Sequence, residues 1–266
     1  MENKKYKILV LSDLKEGTDS TLKNAISLSK IIDADIEFFH VKKPTEIVER
    51  ESQLSAMRTI NKEYLETEKK IKNTIEPISR VYDMKLKSSF AFGNVKSEIN
   101  DYLNDSKPDV VVIGKRKSKS LGFIGDNITK HILKTYNGAI MIASKENGLE
   151  PENQLSLGMF NNNNKSLFNL NFIDNLLNQT TEPVRSFSIG KKLDKTEEDK
   201  IISDIKVVDY VFEKNDNVFT TVSNYLLKNK VNLLFVDRDK NSRNHSAFKS
   251  EIKDMVSKTN VSVFFN

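Results

Sequence analysis

The residues best suited to holding an anion lie in one stretch: Gly114-Lys115-Arg116-Lys117, then Lys119, Gly122 and Gly125, with Asp126-Asn127 at the start of the helix that follows. Glycine allows backbone amides to approach a phosphate closely, and lysine and arginine supply the charge that offsets it. An apolar run, Val110 to Ile113, precedes the stretch. A helical pattern from Asn127 to Tyr136 and a second apolar run, Ala139 to Ala143, follow it. Short continuous apolar runs on either side of one helix predict a parallel βαβ unit. In an open α/β sheet, a loop leaving a strand's carboxyl end and entering a helix N-terminus is the usual place for a ligand. The plainer reading of the four cations is a solvated basic loop with no ligand.

Other chemistry-bearing residues are few. Asp13 ends an apolar run and either faces a ligand or caps the turn from Leu14 to Thr18. His40 sits in an apolar run, which predicts a partly buried, hydrogen-bonded imidazole. His131 falls on the outer side of its helix, opposite Ile128 and Ile132, and is assigned no role. No Ser/His/Asp set, paired-carboxylate motif, HExxH or P-loop is present. The three histidines have unrelated spacings, which argues against a metal site, and the absence of cysteine excludes disulfides and thiol catalysis. A net charge of +5 permits weak polyanion binding, but acidic and basic residues alternate along most segments and a nucleic-acid partner is not expected. No run of 18 apolar residues and no secretory leader are found, so the expected location is cytoplasmic.

The positioning elements read in order as strand and helix. Lys7 to Ser12 is a strand, and Leu22, Ala25, Ile26 and Leu28 mark a helix with Ser20 or Asp19 as N-cap. Ile36 to Val41 is the second strand. A long helix from Thr45 carries Ile47, Leu54, Met57, Ile60, Tyr64, Ile71 and Ile75, and Pro77 is expected to kink or end it. Leu86 to Phe92 is the third strand. Gly93-Asn94 caps a helix with Ile99, Tyr102 and Leu103 inward, and Pro108 closes it.

The second half repeats this order. Asp237 laid on Gly114 gives an offset of 123 residues, which places Tyr225-Leu226 on Tyr102-Leu103 and Leu233 to Val236 on Val110 to Ile113. Leu155 to Phe160 matches the first strand, and Val184 to Gly190 the second at an offset of about 149. The difference is a shortened helix, about Asp194 to Ser203. The expected fold is α/β, two doubly wound parallel five-stranded sheets with the second domain trimmed. The domains span 1–147 and 150–266, divided in the turn-rich segment 145–151. Val261 to Phe265 is too apolar for a bare edge and should pair with Ala139 to Ala143 or with another chain.

On the strand ending in Asp13, the glycine-bearing loop after the fourth strand and the tandem repeat, the chain resembles the universal stress protein family across nearly its whole length. That resemblance implies an adenine nucleotide alpha hydrolase-like fold. It further implies a stress-response or regulatory protein that binds rather than catalyses, and a pairing of fifth strands that a tandem chain makes internally. Many members bind ATP through a loop G-x-x-G-(nine residues)-G-S/T, and ATP is the one cofactor implied. By resemblance the nucleotide would meet Asp13, the backbone of Val41, Gly114, Arg116, Lys117, Gly122, Gly125, Asp126 and Asn127. The loop departs from the pattern: Lys117 stands for the second glycine, Asp126 for the hydroxyl residue, and seven residues (118 to 124) replace nine. A side chain where glycine supplies positive φ costs on the order of 1–2 kcal/mol, and Asp126 is placed to cap the amides a phosphate would use. The second half lacks the loop: Asp237 to His245 contains no glycine, and Asn161 replaces Asp13.

Three expectations follow. The first is a non-enzymatic stress-response protein, a pseudo-dimer of its two halves, with weak ATP binding in the first. The second is an enzyme of the same fold group that adenylates a substrate, against which the turn after Asp13 carries no phosphate signature. The third is a polyanion-binding protein using the basic loop, whose binding would fall steeply with salt. A homodimer through the terminal strands remains open at this point.

Overall fold

A computed structural model describes residues 5–43, 53–116, 127–160, 170–181, 183–190, 206–238 and 245–266. The first half runs β1 (Tyr6–Ser12), α1 (Thr18–Ile32), β2 (Ala34–Lys42), α2 (Gln53–Val81), β3 (Lys87–Phe92), α3 (Val95–Ser106), β4 (Val110–Gly114), α4 (Asn127–Thr135) and β5 (Ala139–Ala143). The second runs β6 (Leu157–Phe160), α5 (Ile173–Gln179), β7 (Val184–Ile189), β8 (Val207–Phe212), α6 (Val218–Lys228), β9 (Leu233–Val236), α7 (His245–Lys258) and β10 (Ser262–Phe265).

All ten strands form one sheet in the order β3-β2-β1-β4-β5-β10-β9-β6-β7-β8. Each half therefore contributes five parallel strands wound in the same order. The two sets join where β5 and β10 meet antiparallel, with Val263 opposite Ile142 and Phe265 opposite Ile140. The apolar run at Val261 to Phe265 is thus paired within the chain. Both fifth strands have neighbours on each side, and among the described residues the outer strands of the sheet are β3 and β8.

Strands buried on both faces explain the continuous apolar runs in the sequence. In β5, Ala139, Met141 and Ala143 enter the layer beneath α1, α2 and α5, while Ile140 and Ile142 enter the layer beneath α3, α4, α6 and α7. In β10, Phe264 joins the first layer, and Val263 and Phe265 the second. Both cores run unbroken across the seam.

Local details amend two expectations. The N-cap of α1 is Gly17 at φ 90, with no side-chain cap bond; Asp19 and Ser20 lie inside the first turn, and the Ser20 hydroxyl donates to Gly17 O at 2.9 Å. The left-handed conformation open to glycine turns the chain sharply and starts the helix ahead of the polar pair. Pro77 does not end α2, which continues to Val81; Ile78, just past it, is buried, and that burial offsets part of the missing hydrogen bond. The α3 cap is as expected: the Asn94 side chain accepts from Lys96 N–H at 3.1 Å and Ser97 N–H at 3.3 Å. The start of the long helix before Gln53, the short helix near 194–203 and the turn at Asn161 lie outside the described residues.

Candidate functional site

Strand order reverses between β1 and β4, since β2 and β3 lie on one side of β1 and β4 and β5 on the other. The carboxyl ends of these two strands flank the crevice where an open α/β sheet binds ligands. Asp13 follows β1 and Arg116 follows β4, and they join across the crevice: Arg116 Nη2 pairs with Asp13 Oδ1. Lys15 Nζ lies 3.8 Å from Asp13 Oδ2. Asp13 also serves its own turn, accepting from Lys15 N–H at 3.1 Å. The capping role expected of this carboxylate is present, and its other contacts are ion pairs with Arg116 and Lys15.

The turn after β1 is built from short polar contacts. Leu14, at φ 58, donates its N–H to Ser12 Oγ at 3.1 Å. Ser12 Oγ lies 3.0 Å from Thr18 Oγ1, whose hydroxyl donates to Lys15 O at 2.7 Å. On the neighbouring strand, His40 Nδ1 donates to the Ser12 carbonyl at 2.8 Å, so the imidazole is bonded to backbone and not to the hydroxyl. It is the satisfied, buried histidine its sequence context predicts. Val41, the next residue, is half-buried at the carboxyl end of β2.

Burial is the main influence that pulls the His40 imidazole below its ordinary 6.5, against the raising effects of the Ser12 bond and Asp13. The unfolded chain then takes up the proton more readily than the folded one. The stabilising contribution is complete above about pH 6.5 and is lost as the pH falls below it. Urea midpoints measured at about pH 7.5 and about pH 5.5 should fall further for the wild type than for His40→Gln. Equal falls would show that His40 is not involved.

Gly114 has a steric reason for its identity. A Cβ there would collide with Thr21 Oγ1, whose hydroxyl is committed to Gly17 O at 2.8 Å. Its φ is outside the left-handed region, so close packing against α1 rather than backbone freedom excludes a side chain. Lys115 is not turned to the crevice: its Nζ donates to the carbonyls of Ser257, at 3.5 Å, and Thr259 in the second half. This corrects its reading as a cation for phosphate. Asn127 opens α4. Lys117, Gly122, Gly125 and Asp126 lie outside the described residues, as does Lys119.

His131 faces α3, with Nε2 2.9 Å from Asn100 Oδ1. Sequence reasoning also missed Thr21 and the Lys145–Glu16 pair, which ties the turn after β1 to the segment following β5. The second half places Asp237-Arg238 where the first has Gly114-Lys115. Arg238 is only 6% exposed, and burial pulls its guanidinium down to about 10, still a cation at neutral pH. Among the described residues no group of three His, Asp or Glu could hold a metal ion, and no helix is long and apolar enough to cross a membrane.

Comparison with solved structures finds similar folds over nearly the whole chain. A universal stress protein from Archaeoglobus fulgidus, 12% identical, aligns over 97% of this chain and 95% of its own with a TM-score of 0.69. A putative universal stress protein from Pseudomonas aeruginosa, 11% identical, aligns over 97% and 92% with a TM-score of 0.60. A second Pseudomonas aeruginosa protein, described as functionally unknown, is 10% identical over 97% and 91% with the same score. At such identities the likeness speaks for the fold. Comparison with curated protein sequences finds no match. The universal stress protein family model matches residues 6–142, more than half of the 266, and that span includes β1 to β4, Asp13 and the Gly114–Arg116 segment. The chain belongs to the universal stress protein family.

Proposed function

We propose that this chain is a non-enzymatic stress-response protein whose output is binding. Its two universal stress protein-like domains, 1–147 and 150–266, form an internal pseudo-dimer, and the first retains one low-affinity site for an adenine nucleotide such as ATP. The observation that carries this reading is the Asp13–Arg116 pair across the β1/β4 switch point. It puts an acceptor for ribose or base and a donor for phosphate in one crevice.

Low affinity follows from the same pair. Arg116 reaches phosphate only by loosening its hold on Asp13, and both side chains are about one-third exposed. Breaking a partly exposed ion pair costs about 0–1 kcal/mol, up to about a fivefold loss of affinity. The diversion of Lys115 removes one further cation. The non-enzymatic reading is supported by His40, which bonds a carbonyl and leaves Ser12 Oγ to Thr18, so these groups do not form a nucleophile–base pair. A cytoplasmic location belongs to the same proposal.

Calorimetric titration of ATP into protein approaching millimolar concentration tests it. One weak site per chain is expected, with Arg116→Ala, which removes the phosphate donor, reducing affinity about tenfold. Absence of heat from the wild-type chain would end the nucleotide reading. Undiminished heat from Arg116→Ala would move the ligand away from this crevice.

A further inference from the structure

Five of the six large apolar side chains that stand exposed among the described residues lie on one helix, α2: Met57, Ile60, Tyr64, Leu65 and Val81. Scattered apolar residues on a surface carry no message, but a concentration on one element marks a contact. Length is its cause here. The 29 residues of α2 span about 43 Å, whereas the six residues of β3, the outer strand that α2 leads into, span about 20 Å. Ile71, Ile75 and Ile78 of α2 reach the core, and the helix is longer than the sheet edge that could cover it.

A groove of about 490 Å³ runs between α2 and β3, with Leu86 and Phe90 on one side and Tyr64, Glu68, Lys72 and Glu76 on the other. The Tyr64 ring lies 4.6 Å from that of Phe90 and is still half exposed. Among the described residues no strand pairs with β3 on its outer side.

The charges along this wall alternate. Glu68, Lys72, Glu76 and Arg80 recur every fourth residue and form one ridge of the helix surface, which reads minus, plus, minus, plus. Read backwards, it is plus, minus, plus, minus. Two antiparallel copies centred on Thr74 therefore set Glu68 against the partner's Arg80 and Lys72 against the partner's Glu76, each pair occurring twice. Parallel copies in register would oppose like signs. Within the chain Lys72 Nζ and Arg80 Nη2 already lie 3.5 Å and 3.1 Å from Glu76. Both cations are largely exposed, so these contacts contribute little by themselves and leave the charges free to extend across an interface.

We propose that this chain forms an isologous dimer through α2 and the outer groove of its first half, the partner being a second copy whose α2 lies antiparallel to the first. Reversal is all that the ridge needs for complementarity, and a twofold axis supplies it. Tyr64 and Leu65 add apolar burial beside the charges. The dimer does not depend on the nucleotide reading, since neither Asp13 nor Arg116 belongs to the ridge.

Sedimentation velocity of the full chain at up to about 100 µM should show a reversible monomer–dimer equilibrium, weakened by added salt. Two double variants make the ridge a single sign: Glu68→Lys with Glu76→Lys, and Lys72→Glu with Arg80→Glu. Glu68, Lys72 and Arg80 are exposed and Glu76 is half-buried, so both variants should fold, which circular dichroism melting checks. Each alone should dimerise at least about tenfold more weakly, and an equimolar mixture should recover the dimer. From a net charge of +5 both variants remain net positive, so bulk attraction does not account for such a recovery. Leu65→Glu should also give monomer, and carries the test if a ridge variant does not fold. A wild-type chain that stays monomeric throughout overturns the proposal and leaves the groove to a different partner. Variants that dimerise like wild type, or a mixture that stays monomeric, overturn it too. So does growth beyond the dimer, the mark of head-to-tail pairing between β3 and β8.

Discussion

Asn24→Leu should destabilise the protein by about 3–5 kcal/mol, since buried hydrogen-bonding groups left without partners cost about 1–3 kcal/mol each. Asn24 is 1% exposed in the middle of α1 and uses every hydrogen-bonding position of its amide. Its Nδ2 donates to Ser20 O at 2.8 Å and to Ser144 O at 3.2 Å. Its Oδ1 accepts from Leu149 N–H at 2.8 Å and from the Ser262 hydroxyl at 2.6 Å, and Ser262 Oγ in turn accepts from Ser144 N–H at 3.0 Å. One side chain thus joins α1, the segment after β5 and the first residue of β10. Leucine has nearly the same volume but leaves the Leu149 amide and the Ser262 hydroxyl without their partner. Chemical denaturation measures the loss. A change below about 1 kcal/mol would mean that solvent or repacking satisfies these groups.

Gly114→Ala is expected to cost about 1–3 kcal/mol, the usual range for forcing an atom into a close-packed site. The added Cβ would meet Thr21 Oγ1, and Thr21 is buried with its hydroxyl committed to Gly17 O. Thr21→Ala removes the obstructing atoms, so the double variant should regain most of what Gly114→Ala loses. The coupling energy should be at least about 1 kcal/mol. Additive losses would show that Gly114 is needed for something other than clearance from α1. The experiment separates a packing glycine from a ligand-approach glycine, which the sequence pattern alone treats alike.

Much of the fold was legible because its cause is local. Continuous apolar runs such as KILVLS and DVVVIG are what strands covered on both faces must contain, and Asn94 is a strong N-cap wherever it precedes a helix. The misread points are those where neighbours in space override local preference. Asp19 and Ser20 are good caps, yet a glycine in the left-handed region starts α1 earlier. Of the two outcomes expected at Pro77, a kink or an end, the end does not occur: α2 continues through it with Ile78 buried in the core.

The candidate site was legible only in part. Asp13, Gly114 and Arg116 were singled out through the resemblance to the family's strand end and glycine loop, and the structure joins Asp13 to Arg116 and packs Gly114 under Thr21. Lys115 was grouped with its basic neighbours because a run of like charges carries no information about direction. Arg238 falls on Lys115 at the repeat offset, but two aligned cations say nothing of where either side chain goes.

By itself the sequence determined the strands and most helices of the first half and the twofold repetition, since hydrophobic periodicity is a property of the chain alone; α5 and β8 of the second half were not read from it. Only the tertiary structure decided that the two halves share one ten-stranded sheet, that Arg116 is held by Asp13, and that Lys115 and Arg238 cross to the opposite half. Those outcomes depend on which surfaces meet when β5 and β10 pair. A cation takes the nearest carbonyl or carboxylate that the assembled fold presents, and sequence distance has no bearing on that choice.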